Sequence, residues 1–213
     1  MVETRNKRLS PFRRINRFLS RNYLNVFSAI LLLASLFYFV QVQRQREATL
    51  SNHPELFADG DLVTVSRVID GDEIRVKNDN GSTRVRLLGI KSFDSTERDF
   101  LLAEYGKVAV DFLSEEVLQQ QVQIKIIDKQ VDDEGRLLAK VMFGEGLERD
   151  LAEAMVANGL TLVYTKYSFP LMNQYLDVQE QAKQNKEGLW QNQRVSARAE
   201  SMLKLWSAER NDG

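Results

Sequence analysis

Cysteine is absent from this sequence, and histidine occurs once, as His53. The first absence excludes disulfide scaffolds, thiolate metal sites and cysteine nucleophiles. The second excludes histidine-rich metal centres and argues against a Ser-His-Asp triad. Proline is scarce too, at three residues, and there are no internal repeats or low-complexity runs. Any hydrolytic chemistry therefore has to rest on carboxylates, Arg, Lys, Tyr or Ser. What is present is 213 residues with 43% hydrophobic content, enough for one ordinary domain with a sizeable core plus extra segments.

The formal net charge of −1 is a cancellation. Residues 1–46 hold nine Lys and Arg against one acid, Glu3, leaving 20 basic and 29 acidic residues in the rest of the chain. A basic head precedes an acidic body, an asymmetry that asks for an explanation.

Residues 23–42, YLNVFSAILLLASLFYFVQV, contain no charge over twenty positions. That length matches the roughly 20 residues that cross a hydrocarbon core, so a transmembrane helix is expected over 23–43, with the lipid bilayer as its partner. A buried core helix would show a polar face over five turns, and no small-residue cleavage site follows Leu33 to mark a signal peptide. Seven Lys and Arg between Arg5 and Arg21 precede the run, and only Arg44 and Arg46 follow closely. The excess of cations places the N-terminus (residues 1–22) in the cytoplasm and the acidic body on the opposite, periplasmic or other extracytoplasmic side. An Arg-rich, acid-poor N-terminus also fits mitochondrial targeting, which would make the two sides matrix and intermembrane space. Residues 44–59 are polar and are expected to be a linker.

The body alternates strand and helix signals. Residues 62–69 and 73–77 are rich in β-branched residues, as strands are. Asn80-Gly81 suits a two-residue hairpin turn. That turn pairs Ile74 with Leu87 and Val76 with Val85 on an apolar face, and Arg75 with Arg86 and Lys77 with Arg84 on the other. It also sets Asp70 opposite Lys91 and Asp72 opposite Gly89. Ser95 or Thr96 is expected to cap a helix whose apolar stripe runs through 101, 105, 108, 109, 112 and 113. Strands follow at 121–127 and 136–143, with a turn at Asp132–Gly135 between them. Asp150 with Glu153 forms a capping box for a short helix ended by Gly159. A strand at 160–164 and a helix at 171–186 complete the body. Val195, Ala199, Met202, Leu203 and Trp206 give residues 192–213 an amphipathic helical stripe, expected to dock on the chain's own domain. The fold class is α+β, with a small antiparallel barrel.

The hairpin gathers Asp70, Asp72, Glu73, Lys91 and Asp94 near one end, beside a cationic face of Arg75, Lys77, Arg84 and Arg86. Opposed like charges destabilise a sheet unless something offsets them, and either a bound phosphate or nearby carboxylates would do so. Solvated arginines on an exposed face are the alternative.

The ordered segments VIDGDEI (68–74), RVRLLGI (84–90), EYG (104–106), DEGRLLA (133–139), Gly159 to Tyr164 and EGLW (187–190) resemble the thermonuclease, or staphylococcal nuclease-like, family over about residues 60–191. The resemblance implies an OB-type five-stranded antiparallel barrel with packed helices. It also implies a calcium ion held by two aspartates, a glutamate base that activates water, and two arginines that stabilise the charge developing on phosphate. Asp72 matches the first aspartate, and Arg86 and Arg136 match the arginines. Departures cluster in one loop: Lys91 stands where the second aspartate is expected, Phe93 replaces a proline, and Asp94 replaces the glutamate. Glu73 replaces a threonine, and Asp70 and Glu73 are the acids that could support the site. A lysine ammonium cannot coordinate a cation, and Asp94 is one methylene short of a glutamate's reach.

Two functions follow. One is a membrane-anchored, calcium-dependent nuclease acting on the phosphodiesters of DNA or RNA, with Asp72 as ligand, Asp94 as base, and Arg86 and Arg136 as anion stabilisers. The other is a degenerate nuclease fold kept as a binding or assembly module, such as an accessory subunit with protein partners in a membrane complex.

Overall fold

The structure, a computed structural model, describes residues 25, 27–42, 52–127 and 131–211. The chain separates into two compact units, 1–50 and 51–213. In the first, residues 25 and 27–42 are helical, and Phe27, Leu32, Leu33, Phe37 and Tyr38 are exposed. Among the described residues no helix is long and apolar enough to cross a membrane. The remainder of the expected span (23, 24, 26 and 43), the basic residues on both flanks and the first half of the expected linker (44–51) lie outside the described residues.

Among the described residues, the second unit is built on eight strands: β1 (Leu62–Asp70), β2 (Glu73–Lys77), β3 (Ser82–Leu87), β4 (Ile90–Lys91), β5 (Gln121–Lys125), β6 (Leu137–Phe143), β7 (Arg149–Asp150) and β8 (Leu162–Val163). Four helices accompany them: α1 (Phe100–Val117), α2 (Leu151–Ala157), α3 (Met172–Gln184) and α4 (Gln193–Asn211). The sheet runs β3-β2-β1-β5-β6-β7, and an added β3–β6 pairing closes five strands into a barrel. That closing pairing is parallel, Val85↔Leu137 through Leu87↔Ala139, so the barrel is mixed and not antiparallel throughout. Closure removes the sheet edges that β3 and β6 would otherwise expose.

Alternation fills the interior. Val63 and Val65, Ile74 and Val76, and Val122 and Ile124 are each at most 1% exposed. Strand propensity and burial agree here, because β-branched side chains pack well on a pleated surface. Tyr175 joins this core from α3 and gives its hydroxyl hydrogen bond to Asp150 at 2.7 Å; Asp150 also caps α2 by accepting from Ala152 N at 3.0 Å.

The hairpin register differs from the expected one by two residues. Lys77 pairs with Ser82, Arg75 with Arg84, Ile74 with Val85 and Glu73 with Arg86. Asn78 is the cause: its side-chain oxygen accepts from Asn80 N at 2.9 Å and Gly81 N at 3.0 Å, and Asn78 N donates to Gly81 O at 3.0 Å. This Asx-type turn takes four residues instead of two. A shift of two keeps each side chain on its face, so the apolar face survives while its partners change. Asp72 consequently lies opposite Leu87, whose N–H donates to Asp72 O at 3.0 Å, and Asp70 pairs with Glu73 instead of Lys91.

Helix α1 is capped by Asp99, which accepts from Leu101 N, and not by Ser95 or Thr96. Its buried face is Leu102, Ala103, Gly106, Ala109, Leu113 and Val117, whereas Val108 is 49% exposed. Gly106 explains the rotated stripe. A Cβ there would lie 2.6 Å from Phe93 O and 2.7 Å from Ser95 N, so the helix meets the 93–95 loop backbone to backbone. The expected strand at 160–164 shrinks to two residues of β8, because β4, its one partner, offers only Ile90 and Lys91.

Phe93, Leu162, Leu189, Trp190, Val195 and Trp206 belong to a second core, on which α4 docks. Residues 52–57, expected within the linker, pack on the domain instead. Asn52 donates to Gly135 O at 2.7 Å and accepts from Arg84 N at 2.9 Å, and Phe57 is 2% exposed.

Candidate functional site

Strand β3 carries Arg86, and Arg136 immediately precedes β6; the parallel pairing of the two strands sets Arg86 and the start of β6 side by side. Arg86 and Arg136, with Lys91, Asp132 and Glu134, line a cavity of about 460 Å³. Tyr164, Tyr167 and Phe169 form an aromatic part of the same wall. These three aromatics were not among the residues expected from the sequence. Their only signal was aromatic density in a short segment after a glycine-ended helix.

Arg86 is 7% exposed and held from several directions. It forms an ion pair with Asp72 and donates to Asp72 O at 3.1 Å and Ile90 O at 2.9 Å. Burial pushes its pKa down to about 10, and the neighbouring Arg136 adds to that fall. A buried guanidinium of this kind persists only because its partners are fixed.

Arg136 is anchored at the exit of the 132–135 turn. It donates to Asp132 at 2.8 Å and to Glu73 at 3.0 Å, and it pairs with Glu134 at 3.2 Å. Burial opposes its charge, but the bonds to Asp132 and Glu73 outweigh that and raise its pKa. Asp132 is likewise driven up by burial, yet the hydrogen bonds from Arg136 hold it below the usual carboxylate range.

Glu73 is 7% exposed and bridges two cations, Arg136 and Arg84, the second at 3.4 Å. Arg84 also donates to Glu134 O at 2.8 Å. Facing it, Arg75 pairs with Arg67 of β1 as well, so three arginines form a row across three strands. Burial first, then Arg84 and Arg67, lower the pKa of Arg75. Lys77 sits exposed at the far end of β2. Arg67 was not among the expected residues, because only the pairing of β1 with β2 brings it there.

The 91–94 loop is arranged differently from the expected ligand-and-base pattern. Lys91 Nζ lies 3.5 Å from Asp72 Oδ2, and Ser92 N donates to the same oxygen at 2.8 Å. Burial, then Arg86, lowers the Lys91 pKa. Asp94 is exposed, and its carboxylate accepts from Thr96 N at 2.7 Å and Thr96 Oγ1 at 2.6 Å. Those bonds lower its pKa, which weakens it as a proton acceptor. Asp70 is occupied with Gly71 N at 2.8 Å. Of the expected set, then, the cavity wall brings together Arg86, Arg136 and Lys91; Asp72 supports them from behind, and Asp94 is turned to its own loop.

A calcium ion fits this donor set poorly. Calcium takes about six to eight oxygen ligands, whereas both carboxylate oxygens of Asp72 already serve Arg86, Lys91 and Ser92 N. Among the described residues no group of three acidic or histidine side chains could hold a metal. Ser92 Oγ is buried without a hydrogen-bond partner among the described residues, but one hydroxyl beside an ammonium does not make a cation site.

The sequence pattern of the family described as staphylococcal nuclease homologue matches residues 84–192, about half of the chain. The chain belongs to this family. It is 26% identical to a thermonuclease of Staphylococcus hyicus over 165 residues, which cover 77% of this chain and 93% of the relative. It is 34% identical to a thermonuclease of Staphylococcus intermedius over 86 residues, 40% of this chain and 51% of the relative. An uncharacterized endonuclease of Escherichia coli is 31% identical over 126 residues, 59% of this chain and 74% of the relative. The matched range holds the cavity-lining arginines and tyrosines, whereas Asp72 and Glu73 precede it and α4 follows it.

Proposed function

We propose that this protein binds nucleic-acid phosphodiesters in the Arg86–Arg136 cavity and holds that site at a membrane surface. The observation that carries the reading is the convergence of two fixed guanidiniums, one ammonium and exposed aromatic faces on a single cavity. Guanidiniums match phosphate oxygens in geometry and charge. An aromatic face such as Tyr167, which is 63% exposed, suits base stacking, a sequence-tolerant interaction. The row of Arg67, Arg75 and Arg84 offers a path for further phosphates on the outer face of the barrel. Because the body as a whole is acidic, attraction is local to the cavity and strengthens as the ligand approaches.

Membrane attachment rests on the uncharged run at 23–42 and the cations before it. In this reading residues 23–43 are the anchor, the N-terminus faces the cytoplasm or matrix, and the domain works on the other side. Exposed Phe27, Leu32 and Phe37 on the helical part of that run support it, since lipid would cover them.

Hydrolysis of the bound phosphodiester is the second reading, favoured by family membership and by the nuclease names of the relatives. It would use Arg86 and Arg136 to offset charge on the phosphate. The orientation of Asp94 and the engagement of Asp72 favour binding over calcium-dependent cleavage. One experiment separates the two: full-length protein in detergent micelles, incubated with labelled single-stranded DNA and RNA, with calcium or with chelator. Retention of intact oligonucleotide is expected in both conditions. Chelator-sensitive cleavage would establish the second reading, and neither binding nor cleavage would sink both. A reporter fused after Gly213 should read as non-cytoplasmic, and a cytoplasmic signal would overturn the orientation.

A further inference from the structure

We propose that Lys91 is a built-in cation: its ammonium supplies beside Asp72 the positive charge that a divalent metal would supply, so the cavity takes phosphate esters with no metal. The inference rests on the reading that this cavity takes phosphodiesters, and it names the charge that replaces calcium there.

Placement is the first argument. Lys91 is not a surface lysine that happens to be near. Its backbone is paired in β4, Lys91 opposite Leu162. On one side of β4, Gly89 has φ +79° and its α-carbon packs against Phe169, where a Cβ would lie 2.4 Å from the ring. On the other, Phe93 is buried in the second core at 6% exposure. Both anchors limit where the Lys91 stem can go. Its Nζ then lies 3.5 Å from Asp72 Oδ2, while the side chain as a whole remains 41% exposed. The ammonium is thus fixed on its carboxylate and reachable from the cavity.

Charge is the second argument. Asp72 faces two cations, Arg86 and Lys91, and so leaves one positive charge over. The other charged groups that act on Lys91 are Asp70 and Asp94, which favour its charge, and Arg86 and Arg136, which oppose it. Arg136 is balanced by Asp132, Glu73 and Glu134, so the positive charge left over on this wall is that of Arg86 and Lys91 around Asp72. An ammonium carries three donors, and Asp72 uses one, which leaves donors for phosphate oxygens. The same ammonium repels a divalent cation at the position where Asp72 would have to ligate it. Lys91 beside Asp72 therefore does two things: it keeps a divalent cation out and supplies positive charge in its place.

The test uses full-length protein in detergent micelles and calorimetric titration with two probes, calcium chloride and a 5′-phosphorylated dinucleotide. Wild type is expected to give no calcium heat and to bind the dinucleotide equally, within about twofold, with calcium or with chelator. Lys91→Met keeps the apolar stem and is expected to weaken the dinucleotide about tenfold in either buffer, loss of one charge-assisted contact. Lys91→Asp is expected to make dinucleotide binding depend on calcium. Circular dichroism melts check that both variants fold. Stoichiometric calcium binding by wild type overturns the inference whether or not the dinucleotide binds, and so does a Lys91→Met variant that binds it as tightly as wild type. Absence of dinucleotide binding to wild type in both buffers defeats the phosphodiester reading, and with it this proposal, while a silent calcium titration would still show that metal is excluded.

Discussion

Two sides of the site have been built by different means. The arginine side stands on β3, which holds Arg86, and on the turn into β6, which ends at Arg136, and each guanidinium has at least three fixed acceptors. The opposite side is the end of β4, which holds Lys91, and the loop 92–94 that follows it and is buried through Phe93. The arginine side sets two guanidiniums on the cavity wall. The other side presents the Lys91 ammonium beside Asp72 and engages Asp94 in its own turn. Strand positions are held by two neighbouring ladders, so a change there disturbs the barrel. Lys91 lies in β4, a two-residue strand paired with β8 outside the barrel, so its charge can change while the barrel stays closed.

The strongest way to break this contrast is Arg86→Ala, which leaves Asp72 buried beside a cavity. Removing one partner of a buried pair costs about 3–5 kcal/mol, and a urea unfolding curve should show a midpoint shifted down accordingly. A midpoint unchanged from wild type would mean the arginine side is not structural at all.

Next in size is Tyr167→Ala. Loss of a stacking face is worth about 1–3 kcal/mol per base, so fluorescence anisotropy should show weaker oligonucleotide binding. Inorganic phosphate should bind as before; parallel loss of both would move Tyr167 from stacking to architecture.

A pH titration sharpens the loop side. Burial, then Arg86, depresses the Lys91 pKa, and Arg136 acts the same way against the opposing pull of Asp70 and Asp94. The protonated form is the one that attracts phosphate, so affinity falls as pH rises. That fall should begin below the ordinary lysine value of about 10.4 and approach about tenfold, and Lys91→Met should abolish it. A pH-independent affinity in wild type would remove Lys91 from the site.

The smallest effect is expected for Asp94→Ala, a surface change of within about 0.5 kcal/mol that leaves dinucleotide affinity unchanged. A large loss of binding or of any cleavage activity would restore Asp94 to the catalytic role its position suggested.

Much of the barrel was legible because alternation and burial coincide in β1, β2 and β5. The α4 stripe was legible for the same reason at helical period: Val195, Ala199 and Trp206 are all buried. The hairpin register was not, because the side chain of Asn78 competes with Asn80-Gly81 for control of the turn. The buried face of α1 was hidden as well. Gly106 lies at its centre, and hydrophobicity does not mark a glycine whose use is close backbone approach.

By itself, the sequence determined the family, the basic and acidic halves, the pair Arg86 and Arg136, and the anomaly at Lys91. These are properties of residue identity and order, and order survives any change of conformation. Only the tertiary structure decided that Asp72 has both oxygens engaged, that Asp94 turns to Thr96, and that Tyr164 and Tyr167 share a wall with the arginines. Each of those depends on where strands from distant parts of the chain are brought within a few ångströms. Hydrogen bonds and ion pairs act only over such distances, and so residue order alone does not encode them.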